Sequence, residues 1–168
     1  MQSNKVEKMQ KTILLIEDNT EILDNLSEFL ELKGYTTLLA KSGKMGIEFA
    51  ERFIPDLIIC DVLMHGMDGH EVLLHLLSCS KTNKIPFVFS TSLCESCDKR
   101  DALLLGADDY LVKPFQLDIL LETTKKWLKL GTRRVICSAT SDAIPIFFRP
   151  NIKDVSSGQS RLLLKSQL

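Results

Sequence analysis

Acidic, hydroxyl and amino side chains stand directly after apolar runs at four places in the sequence. They are Glu17 with Asp18, then Asp61, Thr91 and Lys113. If the runs are neighbouring strands, these groups meet in one small region. Two carboxylates about 5 Å apart repel by roughly 3 kcal/mol at an effective dielectric constant near 20. Three carboxylates with one lysine therefore need a proton or a further cation. A set of carboxylate oxygens favours Mg²⁺ over zinc, which prefers His and Cys.

A carboxylate beside Mg²⁺ can act as a nucleophile toward a phosphoryl group. In such a site Lys113 adds a second positive charge, and the Thr91 hydroxyl can donate a hydrogen bond to a phosphoryl oxygen. The competing interpretation is that these are ordinary polar residues at strand ends. A single acid at a strand end is uninformative, but the combination indicates a site for phosphoryl chemistry.

The elements that would position these groups alternate regularly along the chain. Five short apolar runs read as strands: ILLI (13–16), TTLLA (36–40), DLIIC (56–60), PFVFS (86–90) and DYLV (109–112). Most are continuously apolar, which is typical of a parallel sheet covered on both faces. We therefore expect an α/β fold, a doubly wound five-stranded parallel sheet, with ligands bound beyond the carboxyl ends of its strands.

Amphipathic segments with helix signals lie between these runs. The spacing of apolar residues predicts a helix over 20–33, capped by Asn19 or Thr20 and ended by Gly34. Four further signals mark the other predicted helices: Ser42 and Asp68 precede two of them, and Gly106 and Gly131 end two more.

Composition narrows the class of protein. The 168 residues are 45% hydrophobic and include five cysteines, and no apolar run is long enough to span a membrane. The polar N-terminus lacks the apolar stretch of a secretory signal. Reduced thiols are the simpler interpretation of five scattered cysteines, so we expect a cytoplasmic location.

The charge is unevenly distributed between the body and the tail. Residues 1–128 carry 14 Lys and Arg against 20 Asp and Glu, a net charge of −6, whereas residues 129–168 carry 7 against 2, a net charge of +5. The acidic body argues against nucleic-acid binding by the main domain. We expect a polar N-terminal extension over 1–10, one domain over 11–129, and a short basic, partly flexible tail over 130–168.

The sequence closely resembles the receiver domain of response regulators, the CheY-like family with flavodoxin-like strand order 2-1-3-4-5. The matching stretches are ILLIEDN, PDLIICDVLM with GMDG, IPFVFSTS and LGADDYLVKPF. The resemblance implies two-component signal transduction by a phosphorelay, in which Asp61 is the phosphoacceptor. It places Mg²⁺ on Asp18, Asp61 and the backbone carbonyl of Leu63, with Glu17 reaching the ion through water.

The remaining roles also follow from the resemblance. Lys113 and Thr91 complete the catalytic set, Thr91 and Tyr110 form the switch, and the backbone of Leu63 and Ser92 binds the phosphoryl group. The bond between Lys113 and Pro114 is usually cis in this family.

The resemblance also implies partners. A sensor histidine kinase or phosphotransfer protein supplies the phosphoryl group. An unknown output protein binds the surface of helix 4, strand 5 and helix 5, including Asp108, Asp109, Tyr110 and residues of 95–106. The resemblance leaves open whether phosphorylation also produces a homodimer through this surface. The domain would not act as an enzyme on a separate substrate. It would catalyse only its own phosphorylation and dephosphorylation.

Three alternatives remain. They are a receiver-fold binding module not controlled by phosphate, the receiver part of a transcription regulator without its DNA-binding domain, and an independent enzyme such as a phosphatase.

Three features depart from the family or stand outside it. His65 occupies a position where the family usually has proline, and it is either an exposed loop histidine or a titratable group near the site. Leu63 and Leu93 lie two residues beyond Asp61 and Thr91, and the resemblance implies that side chains at these positions flank the path of the hydrolytic water. Bulky apolar groups there should hinder that water, so we expect a long-lived phosphorylated state. Cys94 and Cys97 form a C-x-x-C pair that is either incidental or redox-active.

Overall fold

A computed structural model describes residues 10–92 and 105–132 of the chain. It contains a five-stranded parallel sheet in the order β2-β1-β3-β4-β5, which confirms the expected fold class. The strands are β1 Thr12–Ile16, β2 Thr36–Ala40, β3 Leu57–Asp61, β4 Phe87–Thr91 and β5 Asp109–Val112. The polar extension before residue 10, Leu93, the Cys94–Cys97 pair, the part of 95–106 before residue 105, and the basic tail from residue 133 lie outside the described residues.

Four helices are described, and they cover both faces of the sheet. They are α1 Thr20–Leu32, α2 Gly43–Phe53, α3 Gly69–Ser78 and α4 Leu117–Leu130. The last of these, α4, follows β5 and is the helix that is called helix 5 in the family numbering used above. Within the described part of the chain, no helix is both long and apolar enough to cross a membrane.

Two separate hydrophobic cores result, one on each side of the sheet. Along β1, Leu14 and Ile16 belong to the core under α2 and α3, whereas Ile13 and Leu15 belong to the core under α1 and α4. Successive side chains of a strand point to opposite faces, so a strand buried on both sides must be apolar at every position. The continuous apolar runs in the sequence follow from this requirement.

Side-chain caps fix where three of the helices begin. The Asn19 carboxamide oxygen accepts hydrogen bonds from the first turn of α1, and the Ser42 hydroxyl accepts one from Met45 at the start of α2. Asp68 and Glu71 form a capping box at the start of α3. The predicted caps at Asn19, Ser42 and Asp68 are therefore confirmed, and each lies on the edge where the strands end.

The placement of Asp108 on a partner surface is wrong. Its side chain is buried, and its Oδ2 accepts a hydrogen bond from the Phe87 N–H at 2.9 Å. Its Oδ1 accepts a second bond from the Thr132 hydroxyl at 2.8 Å. Asp108 thus satisfies the first backbone donor of β4 and ties the end of α4 to the sheet. The neighbouring Asp109 is partly exposed and accepts hydrogen bonds from Lys126 and Trp127.

Replacing Asp108 by alanine should lower the free energy of unfolding by about 1–3 kcal/mol, because the buried Phe87 N–H loses its acceptor. Urea denaturation measures this change. Asp24→Ala is the matched control, since Asp24 is exposed on α1 and we expect a change within about 0.5 kcal/mol. An equal effect of both substitutions would contradict the structural role of Asp108.

Candidate functional site

The strand register gathers the predicted site residues at one edge of the sheet. β1 pairs with β3, β3 with β4, and β4 with β5, all in parallel, so their carboxyl ends are adjacent. Glu17 follows β1, Asp61 ends β3 opposite Ser90, and Thr91 ends β4 opposite Val112. Glu17, Asp61 and Thr91 are all buried.

Lys113 connects two of the carboxylates. Its Nζ lies 2.6 Å from Glu17 Oε2 and 3.2 Å from Asp61 Oδ2, and its side chain is only 15% exposed. The Lys113 N–H donates to the Thr91 carbonyl at 2.7 Å, which fixes the start of the loop beyond β5. The peptide bond between Lys113 and Pro114 is cis, as the family resemblance led us to expect.

The acidic residues fit a divalent cation. Glu17, Asp18 and Asp61 each offer a carboxylate oxygen, and these oxygens lie within 4.8 Å of one another. With Lys113 as the cation bonded to two of them, three carboxylates leave a formal charge near −2. Hard oxygen donors and excess negative charge match the requirements of Mg²⁺.

Two of the carboxyl groups have shifted pKa values, in opposite directions. Burial raises the pKa of Glu17 above its ordinary value of 4.5, although the hydrogen bond and positive charge of Lys113 act against this. Hydrogen bonds from the His65 side chain and backbone lower the pKa of Asp18 below 3.8. The acidic pair that is adjacent in sequence therefore occupies two distinct environments.

His65 contacts Asp18 twice, and this contact was not anticipated from the sequence. Its backbone N–H lies 3.0 Å and its ring Nδ1 2.8 Å from Asp18 Oδ2, while the ring itself is fully exposed. The two interpretations offered above are therefore compatible, because the residue is an exposed loop histidine and its ring also contacts a carboxylate of the site. The topology contained a signal for this, because Asp18 and His65 lie on loops that follow the neighbouring strands β1 and β3.

The loop after β3 places backbone close to Asp61. The Leu63 N–H points to Asp61 Oδ1 at 3.4 Å, and the Leu63 side chain is 56% exposed. At Gly69 a Cβ atom would lie 2.3 Å from the Asp61 carbonyl oxygen, so only glycine fits where α3 begins. Ser92, the second residue expected to bind phosphate through its backbone, is exposed just beyond β4.

Thr91 and Tyr110 lie on the same face of the sheet. Tyr110 is the register partner of Phe89, and Thr91 lies two residues further along the same strand. Side chains two residues apart in a strand share a face, so the two predicted switch residues are diagonal neighbours. Tyr110 is partly buried against the core under α2 and α3.

Comparison with known proteins identifies the family. A family model described as the response regulator receiver domain matches residues 13–125. The uncharacterized transcriptional regulatory protein YrkP of Bacillus subtilis is 38% identical over 107 residues, which are 64% of this chain and 45% of that protein. The DNA-binding dual master transcriptional regulator RpaA of Synechocystis is 36% identical over 72% of this chain and 50% of that protein.

Solved structures agree with the sequence relatives. The chemotaxis response regulator CheY4 of Vibrio cholerae has a TM-score of 0.66 at 28% identity, covering 70% of this chain and 98% of that one. The fold and its acidic edge thus define a phosphorylation-signalling α/β domain of the two-component class. The chain belongs to the response regulator receiver domain family. It spans about half the length of the curated relatives that it matches.

Glu17→Gln should stabilise the metal-free protein more at about pH 8 than at about pH 4. A folded-state pKa above the unfolded value means that folding favours the neutral carboxyl group. The stability contributed by Glu17 is therefore complete below pH 4.5 and is lost as the pH rises through the folded pKa. Glutamine stays neutral throughout, so its advantage over the wild type should grow with pH.

Urea denaturation in the presence of a chelator, at both pH values, measures this difference. Glu48→Gln is the control, because Glu48 is exposed on α2 and should show no such trend. A glutamine variant whose relative stability falls toward pH 8 would mean that the Lys113 contact outweighs the burial of Glu17.

Proposed function

We propose that Asp61 accepts a phosphoryl group from a phosphohistidine donor. The observation that supports this most directly is the Lys113 ammonium, which contacts both Glu17 and Asp61 beside the third carboxylate, Asp18. An Asp61 carboxylate oxygen attacks phosphorus, a P–O bond forms, and the P–N bond to the donor imidazole breaks. The electron pair of that bond stays on the imidazole nitrogen, and the product is an aspartyl phosphate.

The same acidic edge is the proposed magnesium site. Asp18, Asp61 and the Leu63 carbonyl would hold Mg²⁺, with Glu17 acting through water. Bound Mg²⁺ supplies positive charge that screens the repulsion between nucleophile and phosphoryl oxygens. Lys113, whose Nζ lies 3.2 Å from Asp61 Oδ2, would stabilise charge on a phosphoryl oxygen at Asp61. The Leu63 and Ser92 N–H groups are the proposed backbone donors.

The proposed switch runs from Thr91 to Tyr110. A phosphoryl group adds roughly −1.5 to −2 charge and new acceptor oxygens, by analogy with hydroxyl phosphorylation. The Thr91 hydroxyl would move toward them, and the Tyr110 ring would turn into the space that it leaves. Because the two residues are diagonal neighbours on one face of the sheet, this change would reach the surface beside β5, which is part of the proposed output surface.

Partners follow from this scheme. A groove of about 570 Å³ beside Lys113, lined by Ile22, Leu26 and Phe115 among others, offers an apolar surface to a sensor histidine kinase or phosphotransfer protein. The output protein is not specified, and a phosphorylation-dependent homodimer would use the same output surface. The negative charge of the body argues against nucleic acid as a direct ligand of this domain, although one relative is named as DNA-binding.

We further propose a cytoplasmic location, with the receiver domain at 11–129, a polar extension at 1–10 and a basic, partly flexible tail at 130–168. Its only catalytic activities would be self-phosphorylation and self-dephosphorylation. Turnover of an external phosphoester would contradict this part of the proposal.

Incubating the full chain with Mg²⁺ and acetyl phosphate should add one phosphoryl group, and Asp61→Asn should abolish this addition. Intact-mass spectrometry detects the modification, and omission of Mg²⁺ should slow it at least tenfold. Asp24→Asn, on the exposed face of α1, is the control and should be modified like the wild type. Modification that persists in Asp61→Asn would exclude Asp61 as the acceptor.

Leu63→Asn should shorten the lifetime of the phosphorylated protein severalfold. The Leu63 side chain is 56% exposed next to Asp61, where an apolar group offers no hydrogen bond to an attacking water. An amide there can orient that water. Loss of the phosphoryl group after donor removal is followed by intact mass, and Leu74→Asn, exposed on α3, is the control. A double variant that also carries Leu93→Glu should hydrolyse faster still, and unchanged rates would contradict the shielding role.

A further inference from the structure

One oxygen of Asp18 receives two hydrogen bonds from the same residue. The His65 N–H lies 3.0 Å and the His65 Nδ1 2.8 Å from Asp18 Oδ2. An ionised carboxylate oxygen only accepts hydrogen bonds, so Nδ1 carries the hydrogen of the second contact. The Asp18 side chain is 25% exposed, while the His65 ring is fully exposed.

These two hydrogen bonds occupy Oδ2 of Asp18, a residue that would coordinate Mg²⁺ at the proposed site. A carboxylate oxygen has two lone pairs, and the backbone and ring donors of His65 together engage both on Oδ2. A cation that coordinates this oxygen must displace one of the donors. The ring, which is exposed and rotates about its own side-chain bonds, leaves more easily than the backbone N–H. Proline, which the receiver family usually has at this position, offers neither donor.

Each of the three acidic residues therefore contacts a positively charged or hydrogen-bond-donating side chain before any cation binds. Lys113 contacts Glu17 and Asp61, and His65 contacts Asp18. The lysine is largely buried and belongs to the proposed catalytic set. The histidine is the exposed member, and it contacts Asp18, whereas the ion pairs of Lys113 are with Glu17 and Asp61.

We propose that the His65 ring competes with Mg²⁺ for Asp18 and thereby weakens Mg²⁺ binding by this chain. The inference rests on the proposed magnesium site. Competition is favoured over direct coordination by His65, because the oxygens that lie within 4.8 Å of one another come from Glu17, Asp18 and Asp61, and the imidazole is not part of that group among the described residues. The chain would thus require a higher Mg²⁺ concentration for occupancy than it would with a non-donor at position 65.

Isothermal titration of the full chain with MgCl₂, at one fixed pH and ionic strength, tests this. His65→Ala should bind Mg²⁺ about threefold to tenfold more tightly, the size expected for removal of one competing hydrogen bond. His65→Asn should stay within about twofold of the wild type, since its amide nitrogen can occupy nearly the place of Nδ1 and donate to Asp18. In the wild type, ¹⁵N NMR of the His65 ring should report loss of the Asp18 contact as Mg²⁺ is added.

His75→Ala is the matched control. His75 also pairs with a carboxylate, with Nε2 3.2 Å from Glu51 Oε1, but on the face formed by α2 and α3. The His75→Ala variant makes the same change of residue type as His65→Ala, and its Mg²⁺ affinity should equal that of the wild type.

Equal or weaker binding by His65→Ala, or equal tightening by His75→Ala, would overturn the competition while leaving the magnesium site intact. No binding by the wild type or by any variant would overturn the proposed magnesium site itself, and the inference with it.

Discussion

The Lys113 ammonium is the contact on which the arrangement of this site depends. Glu17 and Asp61 are both buried, and two carboxylates about 5 Å apart repel by roughly 3 kcal/mol at an effective dielectric constant near 20. Lys113 approaches both, although it lies 96 residues from Glu17 along the chain. Burial still raises the pKa of Glu17, so one lysine only partly offsets the cost of this acidic edge. The remaining negative charge is what makes a divalent cation favourable there.

The sheet order makes that contact possible. β1 and β3 are direct neighbours, and β4 carries the pairing outward to β5, so all four strands end at the same edge. Apolar side chains on both faces hold the strands in this register, and helices with side-chain caps begin at the same edge. Gly69 shows how tight the packing is, since α3 begins against the Asp61 carbonyl oxygen. The cores therefore position the site without contributing polar atoms to it.

Sequence reasoning was accurate wherever the signal was local. Continuous apolar runs predicted the strands, and Asn19, Ser42 and Asp68 were recognised as caps because their contacts lie within three residues. It was wrong about Asp108, whose contact lies across the fold. The family resemblance led us to assign Asp108 to the partner surface, but it is the buried acceptor of a strand donor 21 residues away.

The sequence by itself determined the alternation of strands and helices, the caps, and the set of residue types gathered at the strand ends. The periodicity of apolar residues and the local composition suffice to predict these features, since each feature depends on the burial of one face or on a nearby backbone group. The sequence predicted that the acids and the lysine share one region, but only the tertiary structure decided which of their atoms are in contact. The pairing of Lys113 with Glu17 and Asp61, and of His65 with Asp18, depends on side-chain distances of a few ångströms between loops from different strands. Electrostatic energy changes steeply over such distances, and residue spacing along the chain does not specify them.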